Sequence, residues 1–404
     1  MLAPHPFRLF ANPNAGTPGM VVLPTAGFRR ARAEITSWPG YAPTPLRDLP
    51  EIARAAGVGG VRLKDEASRF GLGSFKALGG AYAVLNLLRD GLARRGLAEA
   101  ASSADLLAGK WRAATAGITV TSATDGNHGR SVAWGARLFG ARAVIFVPEA
   151  VSQSRIEVIA AYGAAIRMVS GNYDDAVREA RRVARAEGWL LVSDTSWPGY
   201  TEVPRDILQG YRLMADEALD QWDASQPARQ PTHVFIQGGV GGAAAAVSVH
   251  MRLRVSPAPA LIVVEPEHAA CLLASAEAGA LTAVPGNLDT VMAGLACGEP
   301  SLLAWQELER GAAAFMAIPD AAAIDCLKIL AKQGIVAGES GVAGLAGLLL
   351  AAADPVARET LGLTADSRVL LFSTEGATDP GLYARLVGVA PSDIGPVVAV
   401  PPNG

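Results

Sequence analysis

Along the chain, short apolar runs alternate with segments whose apolar residues recur every three or four positions, and the alternation becomes regular after residue 60. Strands are predicted at 61–65, 118–122, 143–147, 166–169, 189–192, 232–236, 261–264 and 368–372. Helices are predicted at 77–89, 129–139, 154–162, 173–187, 206–222, 302–310, 321–332 and 342–353. Apolar strands separated by helices predict an α/β fold whose mainly parallel sheets are covered on both faces. One such series closes near Asp194 and a second follows it. Residues 1–60, rich in Pro and Gly, read as mostly irregular wrapping structure, 225–231 as a Gln/Pro-rich linker and 396–402 as a Pro-rich tail.

Composition narrows the function. Half of the 404 residues are hydrophobic and 18% are charged, which fits two to three folded domains rather than a disordered chain. A net charge of −3 supplies no basic footprint for nucleic acid or an anionic membrane. The start lacks the layout of a signal peptide, and the longest uncharged apolar run, 342–353, falls short of the ~20 residues a bilayer span needs. Cys271, Cys297 and Cys326 form no CxxC pair, so neither a disulfide framework nor a metal site is expected, and a reducing cytoplasm fits. What remains is small-molecule chemistry.

Lys76 stands between Phe75 and Ala77 with no acidic residue within six positions, just before a predicted helix. A lysine so placed is either snorkelling from a helix start or desolvated, so that its neutral amine can form a Schiff base with a carbonyl such as pyridoxal phosphate. Gly238, Gly239, Val240, Gly241 and Gly242 lie between an apolar strand and an Ala-rich helix, where free N–H groups and the helix dipole can hold a phosphate. The same stretch fits a dinucleotide fingerprint, Gly239-Val-Gly-Gly-Ala-Ala244, with Glu265 at the position of a ribose-binding acid; a nicotinamide oxidoreductase is therefore the rival reading. Thr124-Asp-Gly-Asn-His128 joins a strand to a helix and suits a substrate carboxylate, or else is an ordinary helix cap. Asp194 ends the strand that closes the first series, at the sheet edge where ligands gather. Ser373 and Thr374 offer hydroxyls after the last strand, His128 reads as a neutral hydrogen-bonding residue, and Cys297 as a small buried one.

The order of Ser-Phe-Lys76, Asp125-Gly-Asn-His-Gly, Gly238-Gly-Val-Gly-Gly and Thr374-Glu-Gly resembles the fold type II pyridoxal-phosphate enzymes, the group of threonine dehydratase and the tryptophan synthase β chain. Asp194-Thr-Ser-Trp197 and Ala293-Gly-Leu-Ala-Cys-Gly-Glu299, with Lys64-Asp-Glu66, Arg69-Phe-Gly-Leu72 and Asn172-Tyr-Asp-Asp175, look more narrowly like diaminopropionate ammonia-lyase. Gly73-Ser74 and Ala377 depart from that family's pattern, where Asn-Ala and Asp are expected.

The resemblance implies two open, mainly parallel twisted sheets flanked by helices, with the cofactor in a cleft between a large domain (1–76 with 201–404) and a small one (77–200). It implies that Lys76 carries pyridoxal 5'-phosphate, the 238–242 loop holds its phosphate, Asn127 meets its ring oxygen, and Thr374, with Ser373, faces its ring nitrogen. A neutral hydroxyl there makes the ring a weaker electron sink, which favours elimination. Ser74, Thr124, Asp125, Gly126, Asn127 and His128 are the implied substrate contacts, and Asp125 and Asp194 the acid/base pair acting with Lys76. The implied reaction is α,β-elimination of D- or L-2,3-diaminopropionate to pyruvate and two ammonia, by a homodimer. A serine or threonine dehydratase of the same fold is the nearest alternative.

Overall fold

The computed structural model describes residues 2–97, 101–225 and 230–395. Its eleven strands are β1 (Arg8–Ala11), β2 (Leu46–Asp48), β3 (Gly60–Asp65), β4 (Thr119–Ala123), β5 (Arg142–Pro148), β6 (Ala165–Val169), β7 (Leu190–Leu191), β8 (His233–Gln237), β9 (Ala260–Pro266), β10 (Ala314–Ile318) and β11 (Arg368–Ser373). They form a seven-stranded sheet in the order β1-β10-β9-β8-β11-β3-β2 and a four-stranded sheet in the order β6-β5-β4-β7. The small sheet is wholly parallel. In the large one only the edge strands β1 and β2 run antiparallel to their neighbours.

The large sheet is buried on both faces, as its unbroken apolar runs require. Val234, Ile236, Leu370 and Phe372 point to one face, into a core shared with the small sheet's helices. Phe235, Val369 and Leu371 point to the other, against helices Asp320–Ala331 and Ala343–Ala353. Helix Ala77–Arg94 starts directly after Lys76 and is buried around most of its first three turns. Gly79 and Gly80 permit this: a Cβ on Gly79 would come within 2.5 Å of Tyr211, and one on Gly80 within 2.3 Å of the Ser131 hydroxyl. The helix is thereby pressed against helices Glu202–Ser225 and Asn127–Phe139 at once.

The first sixty residues correct the expectation of irregular structure. They carry β1 and β2, which close opposite edges of the large sheet, and helices Thr25–Ile35 and Pro50–Ala56. Strands of four and three residues, half exposed, leave no period to read. β10, fully buried, follows helix Leu302–Gly311 after only two residues. Residues 226–229 of the expected linker and the whole 396–402 tail lie outside the described residues. No helix among the described residues is long and apolar enough to cross a membrane.

Several of the distinctive motif residues hold the fold together. Lys64 is fully buried and donates to Glu217 at 2.7 Å; Arg69 pairs with the same carboxylate at 2.7 Å and with Glu66 at 2.9 Å. Two cations facing two carboxylates leave the cluster neutral, the condition under which buried charge is tolerated. It fastens β3 and the turn after it to helix Glu202–Ser225.

Candidate active site

The carboxyl ends of β8, β11 and β4 converge on one solvent-open cavity at the junction of the two sheets' units. Lys76, Thr124, Asp125, Gly126, Asn127, His128, Asp194, Gly239, Val240, Gly241, Gly242 and Thr374 all line it. Three sequence-predicted site residues do not, and each has a structural task. Ser74 is buried in a bridge to Glu375; Gly238 donates to Val264 O at 2.8 Å; Ser373 turns its hydroxyl onto Glu375 O at 3.3 Å. In their place the structure adds Gln237, Arg155, Tyr173 and Glu375 to the wall. Gln237, Tyr173 and Glu375 lie in or beside a motif, but that says nothing of which side chain faces inward, and Arg155, on helix Gln153–Ala160, belongs to none.

Lys76 does not sit as a neutral amine. Burial works to lower its pKa, yet the ion pair with Asp194 outweighs burial and holds the ammonium well above the ordinary lysine range. The ammonium also lies 5.3 Å from the Phe75 ring centroid and 5.6 Å from that of Tyr211, favourable faces for a cation. Burial likewise opposes ionisation of Asp194, but His128, Lys76 and the Tyr173 hydroxyl hold its carboxylate well below the usual range. Tyr173 donates to Asp194 Oδ1 at 3.0 Å while Oδ2 faces the lysine. His128 lies 3.8 Å from the same oxygen, but burial lowers its own pKa, so the lysine is the charge that decides. Its Nε2 meets Val192 O at 2.9 Å, the neutral hydrogen-bonding role expected of it.

Asp125 is the contrasting acid. Burial, opposed by Arg155 and reinforced by Asp194 and Asp174, pushes its carboxyl up to about 7. The loop that carries it is shaped by Thr124, whose hydroxyl oxygen accepts from Gly126 N and Gly129 N, both at 2.9 Å. Asn127 donates to Glu375, which also accepts from Ser340 N at 3.0 Å. Arg155 pairs with the buried Glu339, and Arg130 donates to Leu72 O at 2.6 Å. These contacts tie the helices of the small sheet to loops of the large one around the cavity rim.

At the opposite wall, Gly241 takes φ +96°, and a Cβ there would crowd Ala304 at 3.0 Å and Leu272 at 3.1 Å. Helix Gly242–Arg254 begins at that point, so its first N–H groups lack intrahelical partners and face an anion-sized concavity. Glu265 settles the rival reading. Its two oxygens cap helix Cys271–Ala278 by accepting from Leu272 N and Leu273 N, both at 2.8 Å, and burial raises its pKa to about 8. It is spent on a helix start and cannot meet a ribose. Cys297 lines the cavity with its thiol pushed well above the ordinary value by burial, hence not a nucleophile.

An anion cradle, an amine that can bond a carbonyl and a hydroxyl on the strand between them, all at the carboxyl edge of a doubly covered sheet, define an α/β enzyme built around a phosphorylated aldehyde. The residues present fit that group on their own evidence: a closely packed glycine turn with helix-start N–H groups at the cavity wall, and a lysine ammonium at the same cavity held by the Asp194 carboxylate. The chain belongs to the pyridoxal-phosphate dependent enzyme family, whose model matches residues 37–374, and within it to the diaminopropionate ammonia-lyases. The diaminopropionate ammonia-lyase of Salmonella typhimurium (strain LT2) is 40% identical over 362 residues, spanning 86% of this chain and 89% of the relative. The solved holo diaminopropionate ammonia lyase of Escherichia coli superposes with a TM-score of 0.86 at 36% identity, covering 96% of this chain and 98% of that one. Its complex with D-serine gives 0.86 at 35% identity with the same coverage.

Proposed function

We propose that this chain eliminates the amino groups of 2,3-diaminopropionate, D or L, to give pyruvate and two ammonia, and that Lys76, Asp125 and Asp194 carry the proton transfers. The observation that supports this most is the pairing of two carboxyls of opposite character in one cavity, the buried Asp194 held ionised and the part-buried Asp125 pushed up to about 7. Pyridoxal phosphate, when bound, would draw electrons from the α-carbon so that a proton can leave that carbon and the amino substituent can leave the neighbouring β-carbon. Gly239 to Gly242 and the helix start behind them would hold its phosphate, Lys76 its aldehyde carbon, Asn127 its ring oxygen and Thr374 its ring nitrogen.

Lys76 Nζ must lose a proton before it can act as a nucleophile or base, and because the Asp194 carboxylate is held ionised against it, that proton leaves by the open cavity rather than coming to rest on Asp194. The freed amine, or Asp125 in its ionised form, removes the α-proton. An amine departs only when protonated, and Asp125, near its midpoint at neutral pH, can deliver that proton to the β-nitrogen. The loop from Thr124 to His128 receives the substrate carboxylate at the start of helix Asn127–Phe139. Two acids approaching from different elements, the β4 loop and the segment after β7, are the reason one site can serve both enantiomers.

The same reading divides the chain into 1–76 with 201–404 and 77–200, following the two sheets, and takes the working unit to be a cytoplasmic homodimer, as the family resemblance and three buried free cysteines suggest. Sedimentation tests the dimer. The function is tested by the visible spectrum of the purified protein and by pyruvate release from each enantiomer. A yellow protein that loses its band in Lys76→Ala, with Asp125→Asn and Asp194→Asn each impairing a different enantiomer, is the expected result. Equal, mild effects of both substitutions sink the acid/base assignment, and faster release from serine than from diaminopropionate converts the reading to a dehydratase.

A further inference from the structure

Gln237 ends β8 directly before the glycine-rich turn and lies against the cavity, only 3% exposed. Its side-chain amide nitrogen donates to Thr374 Oγ1 at 2.6 Å and to Phe372 O at 3.0 Å, with Gly341 O at 3.4 Å. Its Oε1 has no hydrogen-bond partner among the described residues. The amide cannot be turned over. A reversed Gln237 would press its carbonyl oxygen against the Phe372 and Gly341 carbonyl oxygens, at 3.0 and 3.4 Å.

With the NH₂ group fixed in place, the lone pair of Thr374 Oγ1 that faces Gln237 is already taken. The threonine hydroxyl must therefore send its hydrogen elsewhere, and among the described residues no protein atom accepts it; the cavity lies on that side. We propose that Gln237 is a positioning residue that locks the Thr374 hydroxyl as a hydrogen-bond donor into the cavity, so that the ring nitrogen it meets is an unprotonated acceptor. A hydroxyl free to rotate could accept from a pyridinium and turn its hydrogen elsewhere; with Gln237 donating to one lone pair and no protein acceptor in reach among the described residues, accepting a pyridinium hydrogen on the other would leave the hydroxyl's own hydrogen unpaired. The lock thus biases the site against the strongly electron-withdrawing form of the cofactor and toward elimination over amino-group transfer to the ring. The inference rests on the reading of Thr374 as the ring-nitrogen contact.

The test is the ¹⁵N resonance of the ring nitrogen in holoenzyme loaded with ¹⁵N-labelled pyridoxal phosphate, followed through the neutral pH range. In the native protein the resonance should stay at the unprotonated, hydrogen-bonded position throughout. In Gln237→Met the hydroxyl is free to turn and the nitrogen should begin to titrate; in Gln237→Glu, where the side chain accepts rather than donates, it should move toward the pyridinium position. Conversion of bound cofactor to its amine form per turnover should rise in both. A pyridinium resonance in the native protein overturns the inference without any variant. So does a resonance in Gln237→Met indistinguishable from native. If Gln237→Met fails to fold, Gln237→Glu gives the same decision. Failure of the native protein to bind the cofactor defeats the reading of the site itself, whereas a bound cofactor with a protonated nitrogen defeats this inference alone.

Discussion

Asp125→Asn should make the protein more stable as it makes the enzyme worse, and the gain should depend on pH in a calculable way. The carboxyl rises from an ordinary 3.8 to about 7 because it is buried, with Arg155 offsetting only part of that. The folded state therefore binds this proton more tightly than the unfolded chain does. Stability from the group is complete below the unfolded value and is lost as pH rises through the folded one. A span of roughly three pH units corresponds to about 4 kcal/mol at 1.36 kcal/mol per unit. Roughly 2 kcal/mol of that is gone by about pH 5 and the remainder by about pH 8. Asparagine has nothing to titrate there. Urea denaturation of the two proteins at about pH 4.5 and 8.5, each saturated with pyridoxal phosphate, should show the Asn variant gaining on the native protein by about 3 kcal/mol between the two conditions. Parallel stabilities at the two pH values, or a variant that loses ground as pH rises, would refute the claim that burial sets the acidity of Asp125.

Three other outcomes follow from the same geometry. Lys64→Met strands Glu217 with one cation instead of two, so unfolding free energy should fall by about 3–5 kcal/mol while kcat at saturating substrate hardly changes. Glu375→Ala leaves the Asn127 amide and Ser340 N–H without their acceptor, a loss of about 1–3 kcal/mol that should appear as about tenfold weaker cofactor binding by fluorescence titration; Glu375→Gln, which still accepts, should recover most of it. Gly210→Ala places a Cβ 2.0 Å from Leu78 O in the helix that follows Lys76, and a melting curve should show the loss of about 3 kcal/mol or more that overpacking brings.

Much of the small unit was legible because each strand there is followed by its helix and each carries its own period. The 173–187 helix has the bounds its pattern predicts, aided by the Asn172–Asp175 capping box. β1 and β2 escaped because strands of four and three half-exposed residues carry no period, and β1 also pairs with β10 from the far end of the chain, which leaves no local mark. At the site, the residues that motifs bring to the cavity were readable by type and order. Inward direction was not. Ser373 and Thr374 are adjacent hydroxyls, yet β-strand alternation buries one and presents the other. Lys76 shows the deeper limit, for its apolar neighbours in sequence leave a snorkelling ammonium and a neutral amine both open, while the partner in space that decides for the ammonium, Asp194, lies 118 residues away. Gly73, a departure from the family's Asn, is less of one than it looks: it sits at φ +76°, a conformation that glycine and asparagine both tolerate.

The order of strands in the large sheet has a consequence for how the molecule comes into being. The small sheet is drawn from one uninterrupted stretch, 119–191, and can be completed while the ribosome is still working. The large sheet cannot: β3 waits for β11, made some three hundred residues later, and β1 waits for β10. Thr374 and Glu375 arrive with that last strand. A chain released before Arg368 therefore contains its lysine, its glycine-rich turn and both acids, and still has no site, because the strand that joins β3 to β8 is missing. Cofactor capture is in this way a checkpoint on full-length synthesis, and the early strands must be kept from pairing with other chains until it is passed.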